Sequence, residues 1–377
     1  MWMWQHRGAA VLGVDHWTVW RTLNRDGQHP YHLRKMQELT CDWPELSSDA
    51  EHLHVFMLAD IHMLGPRKGH WLDKWRREWQ MHQAYQTILT LHTPDVVFIL
   101  GDIFDEGEWT TDKQFKEYVD RFYSLFKVPD GVPLYVVAGN HDIGFHNFIR
   151  RGNPDRFTRM MKAPSVQLVT LKGNHFVLIN SMAMHGDNCT LCSKAREAVD
   201  NVSETLKCYK DKKFCGRKRK VHSYSNPILL QHFPLYRTSD GICNEPDSPP
   251  LVEKFKAFIP KRECLSEEST EYLVNKIKPR VVFGGHTHSG CVVQHKYENV
   301  QETLNFEEHS IPSFSWRNRP DPKYMLVSIT PDEYAVDKCG LPLETTILTI
   351  FIMSYMIIIA LTISLSPSNT LLRWCRR

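Results

Sequence analysis

DVVFILGDIFDEG, residues 95–107, holds a short apolar run, Asp95 to Leu100, followed at once by Gly101-Asp102. A β-branched run of that length reads as a strand buried on both faces. The same ending recurs on either side of it. HVFMLA (54–59) leads into Asp60-Ile61-His62, and LYVVA (134–138) into Gly139-Asn140-His141-Asp142. Ile228 to Leu230 leads into Gln231-His232, and Val281 to Phe283 into Gly284-Gly285-His286-Thr287-His288. HFVLIN (175–180) reads as a further strand. Amphipathic helices fit Trp71 to Leu91, Asp112 to Phe126 and Ser266 to Ile277, the last with Ser266 as N-cap and a stop before Pro279. This alternation from about His52 to Pro331 predicts a layered α/β domain. In open α/β sheets the functional crevice lies outside the carboxyl ends of the strands, so five polar clusters are expected on one rim.

Each cluster suits a cation. In Asp60-x-His62 the i, i+2 side chains of an extended segment point the same way, so the pair can hold one ion, and the same spacing in His286-x-His288 suits one extended loop. Asp102 has two oxygens with which to bridge two cations, and Gly101 allows close approach. Asn140 adds a neutral carbonyl oxygen, and His232 adds a nitrogen. A lone Gly-Asp or His-x-His is usually a turn or a surface pair. Five such clusters in order at strand ends, in a chain with 20 histidines, point to two-metal hydrolysis. His141 is left free to protonate the leaving oxygen or stabilise the transition state. Asp142 reads either as a carboxylate that orients that ring or as a helix-start carboxylate.

The formal charge of +3 over 377 residues argues against a strongly basic nucleic-acid-binding surface. Thr345 to Asn369 contains no Asp, Glu, Lys or Arg, so a span is expected at 345–366, with a short tail at 367–377. Arg373, Arg376 and Arg377 place that tail in the cytosol and the large domain, 42–335, in the lumen. Two glycosylation triplets, at Asn188 and Asn201, lie in a segment that also holds Cys189, Cys192, Cys208 and Cys215. Disulfides are expected there rather than structural zinc, with connectivity open. Residues 187–225, with their run of Lys and Arg, read as an inserted surface loop, and 238–260 as a second irregular insertion. Met1 to Cys41 reads as a divergent segment without a signal-peptide core or a span.

GHWLDKWRREWQ (69–80), FILGDIFDEG (98–107), VVAGNHDIGFH (136–146), LLQHFPLYR (229–237), GGHTHSGC (284–291) and IPSFSWRNR (311–319) resemble the calcineurin-like metallophosphoesterase superfamily. Within it they resemble the branch that acts on GPI glycans in the early secretory pathway. The resemblance implies a four-layer αββα sandwich with a C-terminal transmembrane helix, and two divalent ions, manganese in use. Asp60, His62, Asp102 and His288 would hold one ion, and Asp102, Asn140, His232 and His286 the other. The implied activity is removal of ethanolamine phosphate from the second mannose of GPI anchors, which promotes transport of GPI-anchored proteins from endoplasmic reticulum to Golgi. Guanidinium groups bind phosphate bidentately, so one of Arg317 and Arg319 is expected to contact substrate; the alternative is a surface charge beside an aromatic loop.

Overall fold

Strand β1 (Leu53–Leu58) is the pivot of the first sheet, and β2 (Val96–Leu100) and β3 (Leu134–Val137) extend it in parallel. On its other side β10 (Lys323–Ile329) runs antiparallel, with Leu53 opposite Ile329, and β11 (Tyr334–Gly340) closes the edge. The second sheet contains β4 (Val166–Leu171), β5 (Asn174–Ile179), β6 (Ile228–Gln231), β7 (Val281–Gly284), β8 (Cys291–Glu298) and β9 (Thr303–Ser310). Their order is β4-β5-β6-β7-β9-β8, with β5, β6, β7 and β9 parallel. This is a computed structural model, and it describes residues 41–47, 51–215, 223–298 and 303–365. Apart from Cys41, the expected N-terminal segment therefore lies outside the described residues, as do the 217–220 basic run and the 367–377 tail.

The two sheets face each other across one core. Val55, Met57, Phe98 and Leu100 from the first pack with Phe176, Leu178, Leu230 and Phe283 from the second. Phe98 meets Phe176 with ring centroids 4.9 Å apart, and cutting Phe98 back to Ala would cost about 3–5 kcal/mol. Helices cover both outer faces, giving the expected αββα layering. Tyr85 of α1 (Trp71–His92) packs on Phe56, while Phe115 and Phe122 of α2 (Asp112–Leu125) pack on Phe104. The short α3 (Asn140–Ile143) and α4 (Asn153–Met161) follow β3.

Residues 187–225 are not merely a loop. They contain α5 (Thr190–Lys210), whose buried Ala195, Val199, Val202 and Leu206 lie at helical spacing. Ser203 Oγ donates to the Lys276 carbonyl at 2.7 Å, which ties α5 to α7 (Glu267–Ile277). Cys208 and Cys215 form a disulfide. The sulfurs of Cys189 and Cys192 lie 2.6 Å apart without a bond. Residues 238–260 are irregular as expected, with a four-residue α6 (Leu251–Lys254), and Cys243 fixes them to β8 through a disulfide to Cys291. The final helix, α8 (Glu344–Leu365), is long and apolar enough to cross a membrane and leaves its apolar side chains exposed.

Candidate metal centre

The parallel strands of the two sheets deliver their carboxyl ends to one place. Asp102 sits at its middle, 1% exposed. Its Oδ2 lies 3.4 Å from His62 Nε2 and its Oδ1 3.4 Å from His232 Nε2. Asp60, His62, Asp102 and His288 bring ligand atoms together in one group, and Asp102, His232 and His286 in a second. Asn140 Oδ1 joins the second group, 3.2 Å from His232 Nε2. All seven expected ligands therefore converge, in two sets that share Asp102.

The backbone that presents them is not extended. Asp60 and His62 have φ of +54° and +43°, Asp102 +47°, and His286 and His288 +73° and +59°. Each i, i+2 pair therefore converges from left-handed turns, which cost of order 1–3 kcal/mol per residue outside glycine. Neighbouring hydrogen bonds hold these turns in place. Asp60 N–H donates to the Gly101 carbonyl, His62 N–H to the Asp102 carbonyl, and His286 N–H to the Asp60 carboxylate. Gly101 is required for a second reason besides its φ of +84°: a Cβ there would strike the His232 ring.

Lone pairs point inward. His62 Nδ1 donates to Asp105 Oδ1 at 3.1 Å and His232 Nδ1 to the Leu100 carbonyl at 2.9 Å, so each ring turns Nε2 to the centre. His62 Nε2 then faces His288 Nε2 at 3.2 Å, with carboxylate oxygens at 3.4 and 3.9 Å. Acceptors packed so closely need a proton or a cation between them. Burial, with His232 nearby, pushes His286 down to about 3, and burial also lowers His62 and His288. For His232 burial acts downward but is outweighed by the Asp102 charge and hydrogen bond, which raise it to about 9. That imidazole holds a proton where a cation would sit. With four imidazoles once that proton is displaced, two central carboxylates and an amide oxygen, the donor set fits a pair of divalent ions.

His141 lies at the edge. Its Nδ1 donates to the Asp105 carbonyl at 3.1 Å and its ring stands edge-on to His62. Asp142 does not touch that ring. Its Oδ1 accepts from Phe104 N–H at 2.9 Å and its Oδ2 from Gly139 N–H at 2.8 Å, so it ties the β2 and β3 loops together and does not orient His141. Burial, with Asp102 next, lifts its carboxyl to about 7.

Asp105 holds both rings instead, His62 through its carboxylate and His141 through its carbonyl. Burial would raise it, but the hydrogen bond and charge of His62, with Arg317 and Lys68, bring it down to about 2. Its place in Gly101-Asp102-x-x-Asp105 was the available signal. Arg317 Nε lies 3.8 Å from Asp105 Oδ1, partly exposed. Arg319 is committed elsewhere. It donates to the carbonyls of Asp247 and His288 and to Ser289 Oγ, and pairs with Asp321.

Residues 53–290 match the family model described as calcineurin-like phosphoesterase. The chain is 47% identical over 304 residues to a metallophosphoesterase 1 homolog of Drosophila melanogaster, covering 79% of each chain. It is 41% identical over 330 residues to metallophosphoesterase 1 of Danio rerio, covering 86% of this chain and 85% of that one. Among solved structures it is similar to a purple acid phosphatase from yellow lupin seeds, with a TM-score of 0.47 and 13% identity over 78% of this chain and 52% of that one.

Proposed function

This chain belongs to the calcineurin-like phosphoesterase family and is a metal-dependent phosphoric ester hydrolase, and we propose that its substrate is the ethanolamine-phosphate diester on the mannose core of GPI glycans. Two ions, manganese in the working enzyme, would be held by the groups that share Asp102. When bound, such a pair supplies an activated water and offsets charge on the phosphoryl oxygens. The protein's own groups do the rest. Asp105 fixes His62 and His141, leaving His141 Nε2 to give a proton to the departing mannose oxygen. Arg317, at the mouth, orients a phosphoryl oxygen. Asp142 and Arg319 hold the loops and touch no substrate.

The observation that carries the reading is the pair of ligand groups meeting at Asp102, in a chain that is similar to metallophosphoesterase 1 over most of its length and whose Ser313 to Arg319 loop resembles the GPI-acting branch. The domain works in the lumen of the early secretory pathway, between endoplasmic reticulum exit sites and the cis-Golgi, with α8 crossing the membrane. Mass spectrometry of GPI glycans from cells lacking the chain tests this. The second mannose should keep its ethanolamine phosphate, and the wild-type chain but not Asp102→Asn should restore trimming. Unaltered glycans, with hydrolysis of a nucleotide diester or a phosphopeptide instead, would reassign the substrate.

A further inference from the structure

Three features meet around the mouth of the metal centre. The first is the start of α1, where Trp71, Leu72 and Trp75 are 71%, 49% and 61% exposed. Trp71 and Trp75 share a face by their i, i+4 spacing, with Lys74, Arg76 and Arg77 interleaved. They are the only exposed tryptophans among the described residues. Lys68, just ahead of α1, lies 3.6 Å from Asp105, so this patch borders the Arg317 side of the centre.

The second is the 238–260 insertion, in which Leu251, Val252 and Phe255 are 73%, 81% and 67% exposed, with Lys254 and Lys256 beside them. It too borders the centre. Arg319 binds the Asp247 carbonyl, and the backbone of Arg262, just beyond the insertion, hydrogen-bonds the His286 ring.

The third is α8. Its first residue, Glu344, donates its N–H to the Pro320 carbonyl at 3.0 Å, directly after the Arg317 to Arg319 segment. Glu344 also pairs with Arg76, and Phe351 packs edge-on against Trp79 at 5.5 Å. The apolar helix is thus bolted to the same turn of α1 that exposes the tryptophans.

We infer that Trp71, Leu72 and Trp75, with Leu251, Val252 and Phe255, rest in the lipid headgroup layer, so that the centre opens toward the bilayer and takes phosphodiesters carried by lipid-anchored molecules. Tryptophan favours that layer because its ring is apolar and its N–H needs water, and Lys254 and Lys256 beside the second patch suit phosphate headgroups. Continuity with α8 fixes lipid as the occupant: a helix entering the bilayer from Pro320 brings the α1 patch to the surface with it. The inference rests on α8 crossing a bilayer and not on the identity of the glycan.

The test uses the full chain in phosphatidylcholine nanodiscs, with methyl p-nitrophenyl phosphate as a free diester and hexadecyl p-nitrophenyl phosphate as a lipid-borne one. A Trp71→Ser, Trp75→Ser double variant should lose on the order of tenfold in turnover of the hexadecyl ester and none on the methyl ester. Bromination of the lipid acyl chains should quench the emission that the wild type has and the variant lacks. A Leu251→Ser, Val252→Ser, Phe255→Ser variant should repeat the split between esters. Equal losses on both esters, or unchanged rates with that emission insensitive to bromine, would overturn the inference. Either glycan result from knockout cells leaves this outcome independent.

Discussion

Two of the regions that gather side chains fit for a metal among the described residues differ in kind: the Asp102 centre, and the group His146, Asp187, Cys189 and Cys192 at the start of α5. The first is drawn from five separate strand ends, its two carboxylates are at most 1% exposed, and five of its ligands have positive φ. The second comes mostly from one short stretch, and its Asp187 side chain is 50% exposed. There the donors already satisfy one another. His146 Nδ1 donates to the Met182 carbonyl and its Nε2 faces Asp187 Oδ2 at 2.7 Å, while Asp187 Oδ1 accepts from the Cys192 thiol at 3.1 Å. A list of ligand types does not separate the two. Convergent lone pairs held by strained backbone do, because nothing but a cation or a proton relieves them.

That contrast can be broken most sharply at the shared carboxylate. Asp102→Asn should lower phosphodiester turnover on the order of a thousandfold and reduce bound metal, read by plasma mass spectrometry beside a rate assay. His141→Ala should lose about a hundredfold or more in kcat while metal content is unchanged, since its ring lies at the edge of the centre with Nδ1 committed to the Asp105 carbonyl. Metal lost together with rate would make it a ligand. Asp105→Ala frees the His62 ring and leaves the backbone carbonyl that holds His141, so metal affinity should weaken about ten- to a hundredfold, a drop visible by titration calorimetry.

Acid gives a gentler probe. The apo site holds a proton on His232 up to about pH 9, and a cation must displace it. Affinity should therefore fall about tenfold for each pH unit below that value, with proton release on loading. A flat affinity between pH 6 and pH 9, read in several buffers, would contradict this use of the imidazole. The smallest effect belongs to the other region. Cys189→Ser with Cys192→Ser should leave rate and metal content at the Asp102 centre unchanged; loss of an ion there would show that the two regions are linked.

Much of this was legible in the sequence, because the relevant strands are short apolar runs that end in chemistry. β1, β2, β3, β5, β6 and β7, with α1, α2 and α7, lie where those runs and the Ser266 cap predict. β4, β8, β9, β10 and β11 went unread; CVVQHKYE and TLNFEEHS, for two of them, mix polar and charged residues into the run, as strands near a sheet edge do. Helix α5 was masked by its cysteines and lysines, although its Ala195, Val199, Val202 and Leu206 spacing was on view. Among site residues, the ligands follow from residue type at strand ends. Asp105 acts through two other side chains, and its place three residues after Asp102 was the one signal the sequence held for it. Arg317 and Arg319 are alike in chemistry and two positions apart. Only the packing of Asp247 and Ser289 around Arg319 tells them apart.

The pairing of Leu53 with Ile329 couples the earliest described strand to one of the last. Asp60 sits at the end of β1, so its loop rests on a sheet whose edge stays open until the ribosome has released β10. A premature stop shortly after Arg319 would preserve every cation ligand and still yield a dead, aggregation-prone product. Nonsense alleles between Arg319 and the end of β10 at Ile329 are therefore expected to behave as nulls.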